Sequence, residues 1–260
     1  MKIKVSGSVM RMRQQYHIYL SAEQGAQYAI LPGDPGRVKQ IAAFLEKPRF
    51  VASNREFTTY CAFLEGKSIL ITSTGIGGPS TAIALEELAS CGVHTVIRVG
   101  TCGAMQPEIM AGDLILPTAA VRMEGTSREY VPIEFPAVSD FSILQALTKA
   151  SQSLPSCVHT GIVQSKDSFY GQHRPDTMPA GQMLQTKWDA WIKAGVLASE
   201  MECAALFTVA AVRKIRAGAV LTALWNQQRQ DKGNQNKPID HTSAIQTAIN
   251  ALRLLIQKNG

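Results

Sequence analysis

The sequence predicts a single α/β domain, and three observations carry this prediction. The chain has 260 residues, of which 45% are apolar and only 18% charged, a balance that suits a sizeable core. This composition excludes a disordered, collagen-like or coiled-coil chain. Short apolar runs alternate with amphipathic stretches, as in repeated strand–helix units. Three of these runs lead into glycine-bearing segments, which are typical of turns after parallel strands.

The predicted elements alternate along the chain. Strands are predicted over residues 26–31, 68–72, 93–99, 114–116 and 217–225, and helices over 38–45, 79–89 and from 241 onward. Each strand is a run of apolar or β-branched residues, and the second helix opens with Pro79, a residue suited to a first helical turn. In the last helix, apolar residues recur every three or four positions from Ile245 to Ile256, which forms one apolar face.

Two stretches are not predicted to belong to the core. Residues 171–181 are rich in glycine, proline and polar side chains. Residues 226–238 contain no apolar side chain except the ring of Pro238, which is typical of a mobile lid or a disordered loop. No linker divides the chain, so one domain is preferred over two.

The charge balance is mildly basic, with 26 Lys and Arg against 20 Asp and Glu, a net charge of +6. Such an excess suits nucleic acid, an anionic surface or a small anionic substrate. Because the basic residues form no run and only 7% of residues are aromatic, a nucleic-acid partner is disfavoured. No apolar stretch approaches the ~20 residues of a membrane span, so no membrane partner is expected.

Cysteine usage favours a reducing cytoplasm. The chain has five cysteines, an odd number, and no CxxC pair, so neither a disulfide framework nor a cysteine zinc site is expected. The HExxH motif, the GxSxG elbow and a His/Cys/Asp cluster with metal spacing are absent from the sequence. The basic N-terminus lacks a sustained apolar core and is expected to be a mobile, non-secretory extension.

The three glycine-bearing segments, at 33–36, 75–78 and 100–103, predict one anion-binding edge. Glycine lets the backbone approach a ligand closely, and helix N-termini attract anions. Ligands of open α/β sheets lie beyond the carboxyl ends of the strands. Neither the P-loop nor the dinucleotide fingerprint is present, so three ordinary strand-to-helix turns explain the glycines equally well.

Two arginines favour the anion site. Arg98 lies among apolar β-branched residues of a strand predicted to be buried, where an unpaired guanidinium costs several kcal/mol. It therefore either forms a structural pair with a carboxylate or faces an anionic ligand at the strand's end. Arg37 follows the first glycine segment near a helix start, where the helix dipole disfavours a cation, so it is either a solvated surface charge or neutralised by an anion. Together the two arginines suit bidentate binding of one phosphate.

Glu200 and Glu202 stand in the otherwise apolar segment ASEMECAALF, which is predicted to be a helix. Residues two apart on a helix point about 200° apart, so the two carboxylates do not form an acid/base pair. One can accept hydrogen bonds from ligand hydroxyls while the other pairs with an arginine, or both form structural ion pairs. The sequence pattern does not choose between these alternatives.

Eight segments carry a resemblance to a known family. They are LPGDPGRVKQIA, SNREFTTY, STGIGGPSTAIALEEL, IRVGTCGAMQP, GDLILPTAAVRMEG, FPAVSDF, SKDSFYGQHR and ASEMECAALF. Together, and in this order, they resemble the nucleoside phosphorylase family. The similarity covers residues 16–260 as one domain and leaves residues 1–15 as an N-terminal extension. It implies a three-layer α/β/α sandwich with a mixed, partly barrel-like sheet, assembled as a homohexamer, a trimer of dimers.

The resemblance also implies roles for individual residues. Positions matching the family's phosphate site are Gly33, Arg37, Arg98 and Thr101, with Arg55 contributed across the dimer interface. Positions matching the ribose site are Met201 and Glu202, with His17 from a neighbouring subunit. Positions matching the base site are Phe169, Gln172 and Arg174. The catalytic residues implied are Arg98, Gln172, Arg174 and Glu202, and a monovalent-cation site for K⁺ is implied at Glu56, Ile76 and Ser80.

The activity implied is reversible phosphorolysis of uridine to uracil and ribose 1-phosphate, in pyrimidine salvage, with no required cofactor. Two departures accompany the match: the segment SFYGQHRPD is one residue shorter than the family's usual form, and Gln227 stands where a base-binding arginine is usual, with Arg229 nearby. Alternatives are a purine nucleoside phosphorylase, a nucleosidase of the same fold and, more remotely, a non-catalytic nucleoside-binding protein. Gln227 argues against a purine substrate, since protonating a purine at N7 requires an acid nearby, although Asp231 is close in sequence.

Overall fold

The computed structural model describes residues 14–229 and 239–259. Most of the predicted N-terminal extension, residues 1–13, lies outside the described residues. The same holds for residues 230–238, the greater part of the segment predicted to be a lid or a disordered loop.

The described residues form one mixed sheet with helices on both faces. The strands are β1 (Tyr28–Pro32), β2 (Glu46–Asn54), β3 (Phe57–Leu64), β4 (Lys67–Thr72), β5 (Thr95–Ala104), β6 (Leu114–Met123), β7 (Ala137–Val138), β8 (Val158–Lys166), β9 (Ala198–Glu200) and β10 (Arg216–Asn226). The helices are α1 (Pro35–Ala42), α2 (Gly78–Ser90), α3 (Thr126–Tyr130), α4 (Phe141–Ser151), α5 (Phe169–His173), α6 (Gly181–Lys193), α7 (Cys203–Arg213) and α8 (Thr242–Asn259). None of these helices is both long and apolar enough to cross a bilayer.

The sheet closes on itself over half its width. Its strand order is β10-β6-β8-β9-β5-β1-β4-β3-β2, and β10 also pairs in parallel with β5. This second pairing joins β5, β10, β6, β8 and β9 into a closed barrel, while β1, β4, β3 and β2 extend from it as an open sheet. The predicted mixed, partly barrel-like sheet is therefore confirmed.

The core consists of two apolar layers, one on each side of the sheet. On one side, Leu85 of α2 and Leu206 of α7 pack with Val96 of β5. On the other side, Leu147 of α4 and Leu252 of α8 pack with Ile97 of the same strand. Consecutive strand residues point to opposite faces, so β5 contributes to both layers. The predicted three-layer α/β/α sandwich is confirmed.

Most predicted elements are present, with boundaries that local chemistry sets. Helix α1 begins at Pro35, before the predicted start, because the Asp34 carboxylate accepts the Gly36 N–H at 2.8 Å and caps the first turn. Strand β6 runs on to Met123, well past the predicted end, through pairing with β8. Residues 171–181 contain the end of α5, a 3₁₀ turn at Pro175–Thr177 and the start of α6.

The third glycine-bearing segment is not a turn, contrary to the prediction. Residues 100–103 lie within β5, which continues to Ala104, so Arg98 stands in the middle of a strand and not at its end. The strand continues because β10 pairs with it along this length. A glycine is needed at position 100, since a Cβ there would lie 2.7 Å from Leu221 Cδ2 and 3.1 Å from Arg98 Nε.

The two glutamates do not share a helix, and this prediction was wrong. Glu200 ends strand β9, and Glu202 directly precedes helix α7. Strand β9 forms because it pairs with β8 on one side and β5 on the other, which overrides the apolar helical pattern. The carboxylate of Glu200 then accepts the backbone N–H groups of Glu202 and Cys203, both at 2.8 Å, and fixes the start of the helix.

Candidate active site

One cavity of about 620 Å³ lies at the carboxyl ends of the parallel strands. It is lined by residues that follow β1 and β4, by the later part of β5, and by the ends of β8, β9 and β10. Predicted site residues that line it are Gly33, Arg37, Arg98, Thr101, Met201, Glu202, Phe169, Gln172, Glu56 and Ile76. The structure therefore brings most of the predicted phosphate, ribose and base positions into a single cavity.

Arg98 is the most buried cation of this cavity, with 4% of its surface exposed. Its Nη2 donates to Glu202 Oε2 at 2.6 Å, and its Nη1 lies 3.5 Å from Thr74 Oγ1. Burial lowers the pKa of this guanidinium, but Glu202 and neighbouring groups outweigh burial and raise it. Within the described residues its buried Nε has no hydrogen-bond partner.

Arg37 lies on the same side of the cavity, in the first turn of α1. Burial lowers its pKa, Asp34 raises it, and the charge of Arg98 lowers it further. Gly33 lies beside Arg98, since a Cβ at this position would be 3.8 Å from Arg98 Nη1. Two cations that disfavour each other beside a backbone turn suit a doubly charged anion.

Phosphate is expected to raise the melting temperature, because an anion relieves the repulsion between Arg37 and Arg98. Ligand at 100 times its Kd adds about 2.7 kcal/mol to the free energy of unfolding. Differential scanning fluorimetry with and without phosphate measures the shift. Arg37→Gln should remove most of it, whereas Arg128→Gln, at an exposed residue of α3, should keep it. An equal shift in both variants would exclude Arg37 from the anion site.

Both carboxylate oxygens of Glu202 accept hydrogen bonds within the protein. Its Oε1 accepts the Gly77 N–H at 2.7 Å, and its Oε2 accepts from Arg98. Of the alternatives that the sequence left open, Glu202 is thus the carboxylate that pairs with an arginine. Glu200, in contrast, accepts from backbone N–H groups and from the Ser165 hydroxyl.

The far end of the cavity is aromatic and amide-bearing. The Phe169 ring lies 4.2 Å from the His173 ring and 6.3 Å from the Trp225 ring, measured between centroids. Gln172 Oε1 accepts from Ser199 Oγ at 2.7 Å. Aromatic rings beside an amide that can donate and accept suit a planar heterocycle with carbonyl and N–H groups.

Two polar residues of this end, Lys166 and Ser199, were missed by the sequence analysis. Lys166 is 7% exposed at the end of β8, and its ammonium donates to Ser199 Oγ at 2.7 Å. A lysine after the polar pair Gln164–Ser165 has no local pattern that marks it as buried. The available signal is its position inside the matched segment SKDSFYGQHR.

Three other residues were considered for base binding: Arg174, Gln227 and Arg229. Arg174 is not among the described residues that line the cavity, and its guanidinium lies 5.6 Å from the Tyr170 ring centroid. Gln227 contacts Gln172 and His173, so it reaches the aromatic end. Arg229 Nη1 donates to the Pro107 carbonyl at 3.3 Å.

The residues predicted to come from a neighbouring subunit lie outside this cavity. His17 Nδ1 is 2.7 Å from Glu87 Oε1 and lines a separate cavity beside α2. Arg55 occupies the tight turn between β2 and β3, with φ of 53°, and lines a third cavity. Of the predicted cation ligands, Ser80 Oγ donates to the Ile76 carbonyl at 3.0 Å. Glu56 packs beside Gly75.

A further polar group lies at the opposite ends of the strands. Asp113, Cys157 and His159 bring three ligand-type atoms within 4.8 Å of one another, although the sequence showed no metal spacing. The parallel pairing of β6 with β8 creates this proximity, and His159 Nε2 lies 3.0 Å from Asp113 Oδ2. A partly buried His159–Asp113 contact, which ties the starts of the two strands together, accounts for this group.

Comparison with known proteins agrees with this geometry. A family model described as the phosphorylase superfamily matches residues 27–258. The chain belongs to this family. It is 49% identical to a uridine phosphorylase of Treponema pallidum, over 94% of this chain and 95% of that protein. It is 43% identical to the uridine phosphorylase of Escherichia coli K12, over 93% and 98% respectively. A guanosine phosphorylase of Halorubrum lacusprofundi is 37% identical, over 94% and 100%. The predicted family is confirmed.

Proposed function

We propose that this chain catalyses the reversible phosphorolysis of uridine to uracil and ribose 1-phosphate. The observation that carries the proposal is the buried Arg98–Glu202 pair, which lines one cavity together with Arg37, Phe169 and Gln172. Relatives named uridine phosphorylase, at 41–49% identity over most of the chain, support the same substrate.

The reaction exchanges one bond at the anomeric carbon for another. A phosphate oxygen bonds to C1′ while the C1′–N1 bond breaks, and its electron pair leaves with the base. The proton of hydrogen phosphate ends on uracil N1. Because the ribose passes through an oxocarbenium-like state, as in glycoside cleavage, the anionic phosphate must be held close to C1′. Arg37, Arg98, Gly33 and Thr101 are proposed to bind it.

Glu202 is proposed to accept hydrogen bonds from ribose hydroxyls, with Met201 against the sugar. Phe169 stacks on the base in this proposal, and Gln172 binds its carbonyl and N–H edge. Arg174 would join them if its guanidinium left Tyr170 when substrate binds. Negative charge grows on the departing base, so donors aimed at its carbonyl groups stabilise the transition state.

The proposal also includes the assembly of subunits, a bound ion and the cellular role. His17 and Arg55 complete the active site of a neighbouring subunit in a homohexamer, which agrees with their positions outside this chain's own cavity. The proposal requires no organic cofactor, and it includes K⁺ at Glu56, Ile76 and Ser80 as a structural ion between subunits. The setting is pyrimidine salvage in the cytoplasm.

A purine substrate is the second candidate, and the guanosine phosphorylase among the relatives favours considering it. Against it, Gln227 contacts the base end, where protonation of a purine at N7 would need an acid. Asp231 lies outside the described residues.

The test is release of free base from uridine, thymidine or inosine, with and without phosphate. We expect phosphate-dependent release of uracil, and Gln172→Ala should weaken the preference for uracil nucleosides. Equal release without phosphate would identify a nucleosidase instead. Release from inosine alone would move the assignment to purines, and binding without release would indicate a non-catalytic protein.

A further inference from the structure

Lys166 is a buried ammonium that the resemblance does not assign to any role. It lines the cavity beside Gln172 and Ser199, and its side chain is withdrawn from solvent. A charged lysine is almost never fully buried without a partner, because desolvation of its ammonium is costly. Its burial at the end of a strand facing a ligand cavity therefore calls for an explanation.

The contacts of Lys166 leave its ammonium without a directly bonded carboxylate. Its ammonium has three N–H donors, and the hydrogen bond to the neutral Ser199 Oγ uses one of them. Within the described residues, no carboxylate forms an ion pair with it. Glu200, the carboxylate whose charge acts most on Lys166, accepts from Ser165 and from backbone N–H groups, and Glu202 is paired with Arg98.

The surroundings of Lys166 identify the part of the substrate that it faces. Its Nζ lies 6.0 Å from the centroid of Phe169, and Ser199 links it to the amide of Gln172. Both are residues proposed to bind the base. An ammonium in this position suits a carbonyl oxygen of a planar base that becomes negatively charged.

The protonation state of Lys166 is compatible with such a role. Burial lowers its pKa to about 8, while Glu200, Glu202 and Cys102 raise it against that effect. The neighbouring His173 has its own pKa lowered, first by burial and then by the charge of Lys166. Because a pKa of about 8 lies above neutral pH, the ammonium form prevails there.

We propose that Lys166 is a catalytic residue that binds a carbonyl oxygen of the departing uracil and stabilises its developing negative charge. In this step the electron pair of the C1′–N1 bond moves onto the uracil ring and its carbonyl oxygens, while Lys166 keeps its proton. The proposal rests on the proposed uridine phosphorolysis. It assigns to Lys166 the electrostatic role that the resemblance assigns to Arg174, whose guanidinium lies over Tyr170 outside the cavity lining.

The test compares two leaving groups in Lys166→Gln, a neutral variant that can still donate to Ser199. Uridine is compared with 5-fluorouridine, whose base carries negative charge more readily and needs less help to depart. We expect kcat/KM to fall about 100-fold for uridine and about 10-fold for 5-fluorouridine, with an unchanged KM for phosphate. Lys149→Gln, at an exposed residue of α4, is the matched control and should act like wild type.

The outcomes separate this proposal from the proposed function. If the wild-type protein releases no uracil from uridine, both proposals fail together. If it does, then wild-type kinetics in Lys166→Gln, or an equal loss for both nucleosides, overturns the role of Lys166 alone. Circular dichroism verifies the fold of Lys166→Gln, and Lys166→Met, which keeps the apolar stem, takes its place if that variant does not fold.

Discussion

Arg98→Gln is expected to abolish measurable phosphorolysis and to destabilise the fold. The variant loses the buried cation that is proposed to bind phosphate, and a donor of this kind contributes about 1,000-fold to rate. It also leaves Glu202 without its partner in a site where both side chains are almost fully buried. Breaking a buried ion pair from one side costs about 3–5 kcal/mol. Chemical denaturation and a phosphate-dependent uracil assay measure the two effects.

A double variant separates the two losses. Arg98→Gln combined with Glu202→Gln replaces the ion pair by two neutral amides that can hydrogen-bond to each other. Most of the lost unfolding free energy should return, since no uncompensated charge remains, but activity should stay absent. Phosphate saturation like that of wild type in Arg98→Gln would remove this arginine from the phosphate site.

Glu200→Ala is expected to have the second largest effect, although no contact with substrate is proposed for Glu200. One carboxylate oxygen of Glu200 accepts two backbone N–H groups at the start of α7, and the other accepts from Ser165. Its removal orphans two buried donors, each at a cost of about 1–3 kcal/mol. The peptide that orients Glu202 then loosens, and misplacement by about 1 Å costs on the order of 100-fold in rate.

The matched control is Glu200→Gln, whose amide oxygen can still accept the backbone N–H groups while its nitrogen turns to Ser165. Burial is the largest cause of the raised pKa of Glu200, followed by the charge of Glu202, so a neutral side chain suits the site. Glu200→Gln should keep most activity and stability. Loss in Glu200→Gln equal to that in Glu200→Ala would mean that the charge of Glu200 itself matters, contrary to a positioning role.

The charged residues of the cavity have different roles in the proposed reaction. In the proposed reaction, Arg98 and Arg37 bind phosphate, and Lys166 binds the departing base. Glu202 is bound to Arg98 and to the backbone of Gly77. An oxocarbenium-like ribose carries positive charge, so a carboxylate in a cavity that two arginines and a lysine also line matches the charge pattern expected along the reaction.

Much of the fold could be predicted from local pattern. Apolar runs and Pro79 indicated β1, β4, β10 and α2 close to their observed limits, and the start of β5, because buried strands and capped helices impose strong local composition. The strands β2, β3 and β8 were not predicted from pattern. Strand β2, for example, has mostly exposed residues along its first half, so its sequence shows no apolar run and its pairing with β3 defines it.

By itself the sequence determined the family, the α/β class and most residues that meet in the cavity. These depend on motifs whose backbone requirements are local: a capped turn before Arg37, glycine beside a ligand, and an apolar strand around Arg98. Only the tertiary structure decided which glutamate pairs with Arg98, that Lys166 is buried at the base end, and that Arg174 is not among the lining residues described. Each of these depends on contacts between residues far apart in the chain, such as β9 inserted between β5 and β8, and desolvation acts only once such contacts form.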